Sequence, residues 1–143
     1  MVKKYVSKVS YGLLTLVFLT FFTPLILIII KNEINTEIIL TTIFIIIIFG
    51  FITHMFLKTE YIIDENNLKI KCGFFSYKPI DIYTIKEITK SNNIISSPAA
   101  SFDRIEIKYE KFEEIIISPK NKMEFAKHLT SINPKIKNNI TEQ

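Results

Sequence analysis

Lys69, Lys71 and Lys78 come closest in this chain to side chains set out for binding. These three ammonium groups lie on and just beyond the alternating segment Leu68-Lys-Ile-Lys-Cys72, spaced to meet anionic headgroups or an acidic partner. The same spacing describes the wet face of a β-strand, where lysines discourage edge-to-edge association. His128 has Lys127 and Glu124 near it but no second histidine and no carboxylate set at ligand spacing, so it reads as a surface histidine. Cys72 is the only cysteine and alternates with Ile70, which makes it a small inward hydrophobe. A lone thiol gives neither an intrachain disulfide nor a metal-ligand pair. The three glycines do not form a phosphate-cradling loop. No cluster amounts to a reaction centre, so the sequence predicts a protein that is not an enzyme and carries no cofactor or metal.

The elements that position these residues divide sharply at Lys58. Before it stand two apolar runs, Val9–Ile30 and Ile38–Leu57, separated by the polar segment Lys31–Glu37. Each has about the twenty residues that a helix needs to cross a hydrocarbon core of roughly 30 Å. The first run is too long for a signal peptide's apolar region and lacks a small-residue cleavage pattern, so it reads as a retained span. The sequence thus predicts a transmembrane helical hairpin over residues 1–58, with spans of about 9–30 and 38–57. Pro24 loosens the first helix at one backbone donor. His54 lies within a turn of the interface, where its imidazole can reach water.

Lysines predict the orientation. Lys3, Lys4 and Lys8 precede the first span, and Lys58, Lys69 and Lys71 follow the second, whereas the connecting loop carries only Lys31 beside Glu33 and Glu37. Flanks rich in lysine are retained inside, so the N-terminus and the C-terminal domain are both expected in the cytoplasm, on an integral protein of the cell membrane. Beyond Lys58 acidic and basic residues nearly balance within a formal net charge of +4. That spread gives no concentrated basic face, which argues against nucleic acid as a partner.

From Tyr61 the apolar period becomes two. Strands are expected at Tyr61–Ile63, Leu68–Phe74, Tyr77–Ile82, Ile85–Lys90, Ile105–Tyr109 and Glu114–Ile117, joined by short connections that make neighbours antiparallel. Ser91–Ser101 reads as a loop, with Asp103-Arg104 pinning it ahead of the next strand. Ser118-Pro119 starts a helix, with Asn121 and Glu124 as an alternative capping box, and Phe125, Leu129 and Ile132 form its apolar stripe up to Asn133-Pro134. Residues 59–136 therefore form a small antiparallel β domain with a C-terminal α-helix closing a partly open barrel, the pleckstrin-homology-like (PH-like) plan, and 137–143 a polar tail.

Particular segments carry a closer likeness: Tyr61-Ile-Ile-Asp64, Leu68-Lys-Ile-Lys-Cys-Gly73, Pro79-Ile-Asp-Ile82, Ser101-Phe-Asp-Arg-Ile-Glu-Ile-Lys-Tyr109, and Ile117-Ser-Pro-Lys120 followed by Phe125 and Leu129. Over Thr59–Ile136 the chain resembles the bacterial YyaB-like PH-domain family, whose members join one or more N-terminal membrane helices to such a domain. The resemblance implies the fold far more than the function. PH domains that hold phosphoinositides gather basic residues at the first hairpin loop, whereas here that loop is Asp64-Glu65-Asn66-Asn67, which repels polyphosphate. The expected function is a membrane-anchored binding or scaffold module. Its partners are the bilayer and a protein engaged at a sheet edge or the Ser91–Ser101 loop, with Lys69, Lys71 and Lys78 as the partner or lipid surface. The alternative is a small self-protection (immunity) or envelope-stress protein that acts through the hairpin itself.

Overall fold

The structure is a computed structural model that describes residues 2–31, 35–93 and 99–140. Two compact units form, one from Ser10–Met55 and the other from Met1–Val9 together with Phe56–Gln143.

The first unit is a pair of helices, α1 (Tyr11–Lys31) and α2 (Thr36–Leu57), of 21 and 22 residues. Each is long and apolar enough to cross a bilayer. Asn35 Oδ1 accepts the Ile38 amide at 2.9 Å and so caps the start of α2. Threonine hydroxyls in this apolar setting donate to carbonyls one turn back, as Thr15 does to Tyr11, Thr20 to Leu16, Thr41 to Glu37 and Thr42 to Ile38. Each donor is thereby satisfied without water. Phe18 and Phe22 stack at 4.5 Å, and both set an edge against Phe49 at 5.5 Å, which pins the two helices together. Pro24 lies inside α1, which continues through it, and His54 lies in the last turn of α2. Part of the segment connecting the two helices, residues 32–34, lies outside the described residues.

The second unit holds two sheets. The first contains β1 (Val2–Val6), β2 (Thr59–Asp64), β3 (Asn67–Cys72) and β4 (Phe75–Ser76) in that order, with β5 (Ile80–Asp81) also pairing with β3. The second runs β8–β7–β6–β9, built from β6 (Ile85–Ser91), β7 (Arg104–Tyr109), β8 (Glu113–Ile117) and β9 (Lys137–Asn138). Every pairing is antiparallel except β6 with β9. Tyr61, Ile63, Leu68, Ile70, Ile105 and Ile107 supply the inner faces, and α3 (Lys122–Ile132) closes the core with fully buried Phe125, Ala126 and Leu129. Asn133 ends α3 and donates its side-chain amide to the Ile82 carbonyl at 3.0 Å, fixing the helix end to the body. The structure thus has two apolar helices, antiparallel sheets and a closing helix, as the pattern predicts.

Several boundaries differ for identifiable reasons. The strand expected at Tyr77–Ile82 shortens to β5, because Pro79 has no amide for the ladder and Ile82–Thr84 forms a 3-10 turn capped by Asp81. The last helix begins at Lys122 rather than at Pro119. Ser118 and Pro119 are held elsewhere, with Pro119 in a β-bridge to Ser7. The Asn121 side chain instead donates to Glu124 Oε2 at 3.2 Å. The end of the chain, expected as a polar tail, contributes β9: Ile136 is buried, and the Asn139 amide donates to the Ile88 carbonyl.

The largest difference is β1. Val2–Val6 reads in the sequence only as a basic flank to the first span, yet it pairs with β2 in the register Val2↔Asp64 through Val6↔Glu60. The pairing extends to the Ser7 amide donating to the Thr59 carbonyl at 3.0 Å. Just beyond, the Tyr61 hydroxyl donates to Ser7 Oγ at 3.1 Å and accepts the Ser118 amide at 3.0 Å, while Ser7 Oγ and Ser118 Oγ lie 2.9 Å apart. This buried cluster joins β1, β2 and the end of β8. Tyr61→Phe takes the acceptor from the buried Ser118 amide and a donor from Ser7 Oγ, so a loss of about 1–3 kcal/mol is expected. The thermal midpoint of the detergent-solubilised chain measures it.

Candidate functional site

The outer face of the first sheet carries the lysines that the sequence singles out. Leu68, Ile70 and Cys72 point inward along β3, so Lys69 and Lys71 share the opposite face. The Tyr77 amide donates to the Ile70 carbonyl at 2.9 Å, which brings Lys78, one residue on, alongside the same strand. The three lysines are therefore neighbours but not equivalents. Lys69 pairs with Asp64, and on the next strands Lys4 pairs with Glu60. Among the described residues Lys71 and Lys78 have no ion pair, and both are exposed. Lys69 is thus engaged within the sheet, whereas Lys71 and Lys78 extend outward. The first hairpin turn is acidic, as its sequence requires, with Glu65 at φ 52.

The loop before β7 is organised from below by Arg104. This side chain is buried, and it donates through Nε to the Ser101 carbonyl at 2.5 Å, through Nη1 to Asn93 at 2.9 Å and through Nη2 to Ala99 at 3.4 Å. A planar guanidinium with five fixed donors suits such a bundle of carbonyls. Burial holds its pKa below the ordinary arginine value. Asp103 faces the other way, toward Lys8 Nζ at 2.8 Å and Lys122. Burial raises its pKa, but the two ammonium groups outweigh burial and hold the carboxyl below the usual value. Asp103-Arg104 thus pins both sides of the loop, as expected, while residues 94–98 lie outside the described residues.

A second cluster escaped the sequence reading because its members are far apart in the chain. Tyr5, buried on β1, packs edge-on against Phe125 at 5.1 Å, and its hydroxyl lies 3.1 Å from His128 Nδ1. Lys3 pairs with Glu124 on the same helix at 2.6 Å. No period marks them, because the exposed set of Val2, Lys4 and Val6 is more apolar than the set of Lys3, Tyr5 and Ser7 that turns toward the helix. Burial first, then the Lys3 ammonium, lowers the His128 pKa against the opposing pull of Glu124. A histidine depressed in the fold contributes stability above its unfolded value and loses it as the pH falls through the folded one. The thermal midpoint is therefore expected to drop between about pH 7 and about pH 5, with a flatter profile in His128→Gln.

Among the described residues no group of three or more His, Cys, Asp and Glu side chains is arranged to hold a metal. Cys72 is buried and accepts the Thr59 hydroxyl at 3.3 Å.

No curated protein and no solved structure matches the chain. A family model described as Bacterial PH domain matches residues 59–133, a stretch that runs from the start of β2 to the residue that ends α3. With just over half of its length matched, and with two mainly antiparallel sheets closed by α3, the chain belongs to the bacterial PH domain family.

Proposed function

We propose that this chain is a binding or scaffold module held at the cytoplasmic face of the cell membrane by its own two-helix hairpin, residues 10–55. In this reading the binding domain is 59–136 completed by β1. PH domains often bind lipids or proteins and in general do not catalyse, which favours a module over an enzyme. The segments Tyr61–Asp64, Ser101–Tyr109 and Ile117–Lys120 favour a place among the YyaB-like members.

One observation carries the reading: Ser7 and Thr59, on either side of the hairpin, are hydrogen-bonded neighbours in one sheet. Two chain ends stitched together lie on one side of any bilayer that the intervening helices cross, and two spans return the chain to the side it left. Lysines at both feet then favour the cytoplasmic side. The partner surface is Lys71 and Lys78, with the loop held by Arg104 as the second contact.

A photoreactive amino acid at Lys71, Lys78 or Asn92, activated in native membranes, tests this. The reading expects a reproducible protein or lipid adduct that is missing when the same group replaces Lys111. Adducts at none of the three positions, or at Lys111 equally, would overturn the assignment of the surface.

A further inference from the structure

We propose that the turn between β3 and β4, Gly73-Phe74, together with Phe75 at the start of β4, is a second membrane contact that enters the headgroup layer. The proposal rests on the membrane-anchored reading above and adds what this edge of the domain meets.

One rim of the first sheet gathers the ends of three strands. β1 ends there at Val6, β2 begins there at Thr59, and β3 ends there at Cys72. The first two are the points where the chain departs into the apolar hairpin and returns from it. Lys58 is the first residue after α2, and its carbonyl accepts the Gly73 amide at 3.1 Å. Two further residues reach at most about 7 Å, so the backbone of Phe74 and Phe75 stays within about 10 Å of a group placed at the membrane boundary. The interfacial layer on each side of a bilayer is roughly 5–8 Å deep. The turn therefore cannot lie far above the headgroups.

Its chemistry suits that depth. Gly73 has φ 58, a conformation that glycine adopts without strain, and this lets the strand reverse at once and present two aromatic rings. Phe74 is 74% exposed and Phe75 56% exposed, and Tyr77 follows at 43%. Exposed phenylalanines side by side are unfavourable in water, whereas aromatic side chains favour the boundary between lipid and water. Lys58, Lys71 and Lys78 lie beside the turn in sequence and register, with the sign that anionic headgroups attract. Phe112 serves as an internal contrast. It is more exposed still, at 86%, but it belongs to the turn between β7 and β8, away from this rim.

The chain has no tryptophan, so single tryptophans report without background. Phe74→Trp, Phe75→Trp, Phe112→Trp and, within α2, Phe44→Trp are each placed in the full chain and reconstituted into vesicles of phosphatidylcholine and phosphatidylglycerol with or without brominated acyl chains. Bromine quenches only a nearby indole. About a twofold loss of emission is expected for F44W, F74W and F75W, with little change for F112W. If F44W is quenched while F74W and F75W are quenched no more than F112W, the turn lies in water and the proposal fails with the anchor intact. If F44W is not quenched, the hairpin is not in the bilayer, and both readings fail together.

Discussion

Phe125→Ala is expected to destabilise the β domain by about 3–5 kcal/mol, at the upper end of what truncating a single core side chain costs. The ring is fully buried, meets Tyr5 edge-on at 5.1 Å and Tyr61 at 6.1 Å, and so touches both the N-terminal strand and the sheet that follows the hairpin. Removing it leaves a cavity where α3 closes the core and takes away the packing partner of β1 in the same step. Against a total stability of about 5–15 kcal/mol for a domain of this size, such a loss takes a large share of the margin. Thermal melting of the detergent-solubilised chain checks it, with Phe112→Ala, at an exposed ring, expected to stay within about 0.5 kcal/mol of the parent.

Arg104→Met is expected to cost about 3 kcal/mol or more, because two or three charge-assisted hydrogen bonds vanish while their acceptors remain enclosed. Ser101 and Ala99 are both buried, so their carbonyls gain little water in exchange. Methionine keeps most of the side-chain volume, so the loss reports the hydrogen bonds and not a void. Amide exchange separates this from a general weakening. Protection at Asn93 and Asp103, whose amides donate to the Ser91 and Ser101 hydroxyls, should fall well before protection at Ile107. Uniform loss across β7 would instead mean that Arg104 supports the whole sheet.

Both effects depend on contacts that the sequence discloses unevenly. The two apolar runs and the alternating strands needed only composition and period, because a continuous apolar stretch and a period of two each have one economical structure. The stripe of Phe125 and Leu129 likewise marks the closing helix. What stayed hidden was the pairing of β1 with β2. Its partners are separated by more than fifty residues of chain, and local pattern carries no information about so distant a contact. The lysines that made Lys3, Lys4 and Lys8 look like a topological signal also obscured the inward Tyr5 and Ser7. These residues do two jobs, since each of the three lysines pairs with a carboxylate of the domain while adding positive charge to one foot of the hairpin.

The candidate surface shows the same limit. Spacing identified Lys69, Lys71 and Lys78 as neighbours, but it could not reveal that Asp64 engages one of them and leaves the other two outward. Asp103-Arg104 was legible as a pair that pins the loop, but the burial of the Arg104 guanidinium was not. Which carbonyls it meets depends on how the chain returns from Ser91 to Ser101, and no periodicity encodes that path.

Anchor, orientation and binding surface all depend on the segment before the hairpin and the sheet after it being a single folded body on one side of the membrane. The most direct measurement is labelling by a membrane-impermeant thiol reagent in sealed vesicles, using single cysteines at Val2, Lys31 and Lys135 in a Cys72→Ala background. A single body predicts that Val2→Cys and Lys135→Cys react together from the cytoplasmic side, and that Lys31→Cys reacts only from the other. Reaction of the first two from opposite sides, or of all three from the same side, would contradict it.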